Sequence, residues 1–128
     1  MQNQEINQIS GNIGVVNDGT ARRGSLEHMY ITETPGLDPI NVFWINLEPG
    51  QGHVTITCYG SAWTAYFGAM GAQTVPQTIQ QFFASVNADY MVTKLACPMR
   101  RQTKREEIYL TKIFHAVKAA LKETGEAA

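Results

Sequence analysis

The sequence has little net charge and no long apolar run, and each absence excludes a class of protein. Its 10 Lys and Arg against 11 Asp and Glu give a formal net charge of −1, whereas a dedicated nucleic-acid coat is usually strongly basic. No window approaches the roughly 18 apolar residues of a membrane span. The N-terminal residues also lack the charged start and apolar core of a signal peptide. We therefore expect a cytoplasmic protein without membrane contact.

Cysteine is scarce as well. Cys58 and Cys97 are the two cysteines, which is too few for a disulfide framework and typical of a reduced compartment. The 128 residues are 44% hydrophobic and 16% charged, as in an ordinary globular domain. We expect residues 1–26, which are polar and contain glycine, to form a partly flexible arm. Residues 27–128 then form a single α+β domain.

Three segments have the alternation and the residue types of β-strands, at residues 28–34, 40–47 and 54–59. The second is apolar enough to be buried on most of both faces. Pro49 and Gly50 favour a type II turn between the second and third segments, because proline presets one φ angle and glycine supplies the positive one. The sequence therefore predicts an antiparallel hairpin here.

Residues 58–71, CYGSAWTAYFGAMG, combine aromatic and small residues without any charge. The interpretation we favour continues the third strand past a kink at Gly60, because glycine inside a strand pattern often marks a bulge. The alternating residues then fall on two faces, Trp63, Ala65 and Phe67 on one and Ala62, Thr64 and Tyr66 on the other. A helix is the alternative, since aromatic residues recur here at a spacing of four.

The C-terminal half has helical periodicity. At residues 74–87, Thr74 and Gln77 fit a capping box, and the apolar stripe consists of Val75, Ile79, Phe82, Phe83 and Val86. A further turn or two is expected at residues 89–95.

The last helix begins with a second capping box, Thr103 and Glu106, and ends at Gly125. Its apolar stripe is Leu110, Ile113, Phe114, Val117 and Leu121. The order of elements predicts an α+β fold: an antiparallel sheet of three to four strands (a β-meander), followed by two C-terminal helices packed on one face.

A resemblance adds to this interpretation. The run from Gly50 to Gly71, GQG-x-V-x-I-x-CYG-x-AW-x-AYFG-x-MG, resembles a family of small proteins encoded in bacteriophages and prophages. The likeness continues through Phe82, Phe83, Asp89 and Tyr90 and into the helix YL-x-x-I-x-x-AVKAAL, which contains Tyr109, Leu110, Ile113 and residues 116–121. It covers about residues 28 to 121. The resemblance implies a phage origin and a place in the host bacterial cytoplasm, and it supplies no site to carry over.

Catalytic and metal sites have little support. The histidines and cysteines lack ligand spacings such as H-E-x-x-H, and His53 and Cys58 should face opposite sides of one strand. Cys58 or Ser61 with a histidine and an aspartate, Asp38 or Asp89, would be needed for nucleophilic catalysis, and nothing local enforces that arrangement. We therefore expect no metal and no cofactor, with a small enzyme of unknown class kept as an alternative.

A basic segment precedes the last helix, at residues 99–105. Its cations could hold phosphates or an acidic partner, with nearby aromatic rings as stacking planes for single-stranded bases. Positive charge opposes the helix dipole at this end, which weakly favours a functional role over a solvated loop. The candidate contact residues are Arg100, Arg101, Lys104 and Arg105.

The aromatic residues exceed what one helical layer can cover. Most of them have a simple alternative role in the core. Yet two helices cover only one face of a sheet, so the surplus implies a second buried face, in a homodimer or against a host or phage protein. The candidate partner contacts are Trp44, Tyr59, Trp63, Tyr66 and Phe67.

The function that we predict is therefore that of a small phage accessory protein acting as a protein-binding module. Inhibition of a host defence complex, as anti-CRISPR proteins do, is its most concrete form. A nucleic-acid-binding phage protein that uses residues 99–105 is the alternative from a different class.

Overall fold

A computed structural model describes residues 24–72, 75–96 and 102–125. Within these residues, the main sheet has four antiparallel strands in the order β1-β2-β3-β4. The strands are β1 Ser25–Ile31, β2 Ile40–Asn46, β3 Gly52–Cys58 and β4 Ser61–Phe67. A small second sheet pairs β5 Gly71–Ala72 with β6 Val75–Pro76. The described helices are α1 Ile79–Ser85, α2 Ala88–Leu95 and α3 Lys104–Glu123. The predicted α+β meander with C-terminal helices is confirmed.

The first strand lies slightly earlier in the chain than predicted. It begins at Ser25, opposite Asn46, and ends at Ile31, opposite Ile40. It therefore starts inside the predicted arm, of which residues 1–23 lie outside the described part of the chain.

The turn between β2 and β3 has the predicted form. The Gln51 amide donates to the Glu48 carbonyl at 2.8 Å, and Gly50 has a φ of +79°, as the third residue of a type II turn requires. The alternation of β3 is confirmed too, since Val54, Ile56 and Cys58 are buried.

The prediction for β2 is wrong on one side. Ile40, Val42 and Trp44 are fully buried, whereas Phe43 and Ile45 on the opposite side are only half-buried. The described helices pack on the first side, so an apolar composition alone did not indicate burial on both.

The aromatic stretch is a separate strand rather than a continuation of β3. The chain reverses at Tyr59 and Gly60, and Cys58 pairs with Ser61 across this two-residue turn. Gly60 therefore marks a hairpin and not a bulge, and Tyr59 has a φ of 58°. The face assignment is nevertheless correct: Ala65 and Phe67 are buried, and Ala62, Thr64 and Tyr66 are exposed.

The first helix starts later than predicted. The capping box is formed by Thr78 and Gln81 instead of the predicted Thr74 and Gln77, and Thr74 lies outside the described residues. Val75 and Pro76 belong to β6, which pairs with Gly71 and Ala72, so the helix can begin only after them. Val75 is consequently exposed instead of lying on the buried stripe.

The second and third helices follow their sequence patterns. Asn87 caps α2 by accepting from the Tyr90 amide. In α3, Thr103 and Glu106 form the predicted capping box, and Gly125 follows the helix with a φ of +84°. All five residues of the predicted stripe are buried, Leu110, Ile113, Phe114, Val117 and Leu121.

The core lies between the sheet and this helical layer. Trp44 meets Phe83 edge to face, with ring centroids 5.2 Å apart, and Phe83 contacts Phe114 at 5.0 Å. A polar network also joins the layers, because the Asn46 side chain accepts from the Ile79 amide at 2.8 Å and donates to Gln80 at 2.9 Å. The other side of the sheet carries no described helix.

Candidate interaction surface

The outer face of the sheet, opposite the helices, is the candidate site. Directly paired residues share a side of a sheet, and the register places three rows of four outward. We define the outer face as these twelve residues, row by row: Leu26, Ile45, His53, Tyr66; His28, Phe43, Thr55, Thr64; Tyr30, Asn41, Thr57, Ala62.

None of these twelve described residues is Asp, Glu, Lys or Arg. The one charged residue of β1, Glu27, belongs to the inner side, where its carboxylate accepts from the buried Gln80 amide at 2.7 Å. Covering a surface without formal charge costs less hydration energy than covering a charged one. This chemistry is suited to contact with another protein.

Side chains on the outer face hold one another in place. The His28 ring stacks on Phe43, with centroids 4.9 Å apart and an angle of 19° between the planes. His28 Nε2 lies 2.7 Å from Asn41 Oδ1. The hydroxyls of Thr55 and Thr64 lie 3.0 Å apart on the neighbouring strands. The rotamers are thereby partly fixed before any partner arrives, which reduces the entropy lost on binding.

The five aromatic contact residues predicted from the sequence separate into three environments. Trp44 is 0% exposed, and its Nε1 donates to Met29 Sδ at 3.1 Å, so it is a core residue in this fold. Tyr66 belongs to the outer face and is 61% exposed. Tyr59 is 89% exposed, at the tip of the hairpin between β3 and β4.

Trp63 and Phe67 lie on the inner side. Phe67 is 8% exposed and contacts Phe82 at 4.9 Å, so it packs in the interior instead of serving as a partner contact. Trp63 is half-buried and meets Tyr109 of α3, with ring centroids 6.2 Å apart. Both rings therefore pack between the sheet and the helices.

Tyr59 combines exposure with an unusual backbone. A non-glycine residue in the left-handed region costs roughly 1–2 kcal/mol relative to its usual conformations. Glu33, in the connection between β1 and β2, has a similar φ of 61°, and that connection lies at the same end of the sheet. Two non-glycine residues therefore adopt this conformation at one end.

The basic segment is described only in part. Arg100 and Arg101 lie outside the described residues, and Lys104 and Arg105 form the exposed first turn of α3. Lys104 Nζ lies 3.4 Å from Glu107 Oε1, an exposed pair of the kind that contributes little to stability. These two cations belong to the helical layer and not to the outer face.

Cys58, considered above as a nucleophile, is enclosed by the fold. Its thiol is buried, lies 3.2 Å from the Tyr109 hydroxyl and donates to the Asp38 backbone carbonyl at 3.4 Å. The hydrogen bond with Cys58 and burial raise the pKa of Tyr109 to about 12. Neither neighbour is a general base at neutral pH. The contact between Cys58 and Tyr109 instead joins β3 to α3.

A cleft of about 570 Å³ separates α2 from α3. Sequence patterns did not indicate it, because its lining comes from two helices that are separate in the sequence. Its charged lining has both signs, which gives no preference for an anion or a cation. The lining includes Asp89, Thr93, Lys104, Glu107, Ile108 and Lys112.

Sequence reasoning missed most of the outer face. Leu26, Tyr30 and Phe43 were not among the candidate contacts, although their alternation with inward residues was visible. What was needed was the register, which turns separate strands into rows.

In the described residues no three His, Cys, Asp or Glu side chains cluster as a metal site would require. None of the described helices is long and apolar enough to cross a membrane.

Comparisons with known proteins place the chain in a family. No curated protein and no solved structure matches it. A family model described as a phage family matches residues 21–102, a range that covers more than half of the chain and includes every strand of the main sheet. The chain therefore belongs to this phage family.

Proposed function

We propose that this phage accessory protein is a protein-binding module whose contact surface is the outer face. The observation that carries the proposal is the complete lack of formal charge on twelve adjacent outward positions, in a chain of which 16% is charged. The solvated face of an antiparallel sheet usually carries polar residues, and charged side chains are one device by which exposed strands avoid association. A face without them is suited to being covered.

Several outer-face residues can act as anchors. Tyr30, Tyr66 and Leu26 are well exposed, and Phe43 is half-buried at the centre of the face. Aromatic side chains bury a large area with few rotatable bonds and are enriched among the residues that dominate binding energy. The surrounding threonines can hydrogen-bond with a partner or with trapped water.

The same face is poorly suited to nucleic acid. Phosphate contacts provide most of the affinity of nonspecific nucleic-acid binding and require Lys or Arg near the bases. The outer face has neither residue, and the described cations of the basic segment belong to α3. A protein partner is therefore the class that the charge distribution favours.

The specific form of the proposal concerns the host. Proteins of phage families act inside a bacterium that defends itself, and we propose that the target belongs to a host defence complex, as for anti-CRISPR proteins. Expression in a host with active CRISPR immunity should then restore plaque formation by a targeted phage. Unchanged immunity, with the protein stably expressed, would contradict this specific form while leaving protein binding itself open to the next experiment.

Protein binding is tested by affinity capture from host lysate with two matched variants. Tyr66→Lys introduces a charge into the outer face, and Ile108→Lys introduces the same charge at an exposed apolar residue of the helical layer. We expect the wild type and Ile108→Lys to retain the same captured protein and Tyr66→Lys to lose it, with all three folded by circular dichroism. Equal capture by all three, or capture of nucleic acid in place of protein, would rule out the proposal.

A further inference from the structure

The outer face divides into a bulky half and a small half. β1 and β2 carry the larger side chains, Leu26, His28, Tyr30, Asn41, Phe43 and Ile45. β3 and β4 carry mainly small ones, Thr55, Thr57, Ala62 and Thr64. His53 and Tyr66, which pair with each other at one end, are the exceptions. The division follows the strand direction, so it forms a step along the middle of the sheet.

Tyr66 interferes less with the small half than its size suggests. Its ring lies against Gly68, where an added side-chain carbon would meet the hydroxyl at 3.4 Å. The ring is therefore directed toward the end of β4 and away from Ala62 and Thr64. The small half therefore carries shorter side chains than the half formed by β1 and β2.

From this shape we propose that a second copy of the chain covers the outer face, related to the first by a two-fold axis parallel to the strands. The inference rests on the proposed function, because it names a second partner of the same face, one that a host target would have to displace. Such an axis exchanges β1 with β4 and β2 with β3 between copies. It places Phe43 over Thr55 and Tyr30 over Ala62, so that bulky residues meet small ones in two of the three rows. In the third row, Leu26 lies over Tyr66 and Ile45 over His53.

Charge does not oppose this pairing. Two identical surfaces repel each other when they carry formal charge of one sign, and neither copy has such charge on this face. Face-to-face sheets pack at about 10 Å with interdigitating side chains, as in a β-sandwich. The two outer faces would then form a second core, with hydroxyl groups of Tyr and Thr available to bond across it.

The area predicts a weak dimer. Four strands of seven residues span about 24 Å by about 19 Å, or roughly 450 Å² of projected area per copy. The total of about 900 Å², before side-chain relief is counted, lies below the roughly 1,200–2,000 Å² of stable specific interfaces and within the range of weak, transient ones. We therefore expect a dissociation constant on the order of micromolar.

Sedimentation equilibrium over a concentration series tests the proposal with two matched threonine variants. Thr55→Lys places a charge at the centre of the outer face, where the dimer would bury it twice. Thr93→Lys makes the same change at an exposed position of α2. We expect the wild type and Thr93→Lys to dimerise equally, and Thr55→Lys to raise the dissociation constant at least about 100-fold while remaining folded.

A wild type that stays monomeric up to about 1 mM, where even weak interfaces associate, overturns the inference. A dimer that Thr55→Lys leaves intact overturns it as well. The capture experiment separates this failure from that of the proposed function. If the protein is monomeric and captures a target only when Tyr66 is present, the proposal of a second copy is wrong and the proposed function stands. If the protein forms a dimer that Thr55→Lys disrupts but captures no target, the inference is supported and the proposed function is wrong.

Discussion

His28 and Phe43 stack on the outer face, with ring centroids 4.9 Å apart, while the next residue along β2, Trp44, is enclosed in the core at 0% exposure. Two large aromatic residues adjacent in sequence thus have opposite environments. The reason is the pleat of the strand, which sends successive side chains to opposite faces. Their different environments provide a direct test of the two-sided sheet.

Truncating each of these neighbours should have very different effects on stability. Trp44→Ala removes a fully buried ring and its contact with Phe83, and should lower the free energy of unfolding by about 3–5 kcal/mol. Phe43→Ala removes a half-buried ring with no helix over it, and should cost less than half as much. Urea denaturation of the two variants measures the difference, and equal losses would mean that the outer face is already covered within the monomer.

The polar network between the layers should also contribute measurably. Asn46→Ala leaves the backbone amide of Ile79 and the side-chain oxygen Oε1 of Gln80 without their partner, and Gln80 is only 5% exposed. The expected cost is about 1–3 kcal/mol, since buried polar groups lose their hydration as well as the bond. Asn41→Ala, which removes the exposed bond with His28, is the matched control and should cost less than about 1 kcal/mol. A larger loss for Asn41→Ala than for Asn46→Ala would show that the hydrogen bond on the outer face stabilises the fold more than the network between the layers does.

Much of the fold follows from local signals in the sequence. The capping box of α3, its buried stripe and the turn at Gly50 could be predicted because each depends on residues within one or two turns of the chain. The start of α1 could not, since Thr74 and Thr78 both fit a cap and only the pairing of β6 with β5 selects the second. Long-range pairing decides between equivalent local patterns.

The candidate site was only partly accessible from the sequence for the same reason. Alternation correctly separated Tyr66 from Phe67, but it could not tell that the stretch forms its own strand. The reversal depends on Tyr59 in a left-handed conformation, which tyrosine rarely adopts and which no pattern indicated. Without that reversal the rows of the outer face, and therefore its lack of charge, could not be assembled.

Replacing Tyr59 should reveal the cost of its left-handed backbone conformation. Tyr59→Gly relieves the left-handed strain but gives the unfolded chain more freedom, so we expect a net gain of up to about 1 kcal/mol in the free energy of unfolding. Thr57→Gly, in the adjacent strand, lacks that relief and should lose about 0.5–1 kcal/mol. Thermal denaturation compares them. A destabilised Tyr59→Gly would show that the ring has structural contacts beyond its exposed position.

Alkaline pH should act on the contact between Tyr109 and Cys58. The pKa of Tyr109 in the folded protein is about 12, against an ordinary value of 10.0. The folded state thus favours the protonated phenol. Its stabilising effect is complete below about pH 10 and is lost as the pH rises through about 12.

Phenolate absorbance measures this titration. We expect the wild type to retain one late-titrating tyrosine, which Tyr109→Phe removes. Cys58→Ala should lower the pKa of Tyr109 toward its ordinary value, because it deletes the hydrogen bond that contributes most to the shift. If all tyrosines of the wild type titrate together near their ordinary pKa, the contact between β3 and α3 is absent in solution.

Hydroxyl-radical footprinting of the protein, as free monomer at low concentration and in its captured complex, tests the central claim most directly. The account predicts that Tyr30, Phe43 and Tyr66 of the outer face lose reactivity on binding, while Ile108 beside the cleft between α2 and α3 keeps its own. Protection of Ile108 with unchanged reactivity of the three outer-face rings would contradict it, and would move the contact surface to the helical layer.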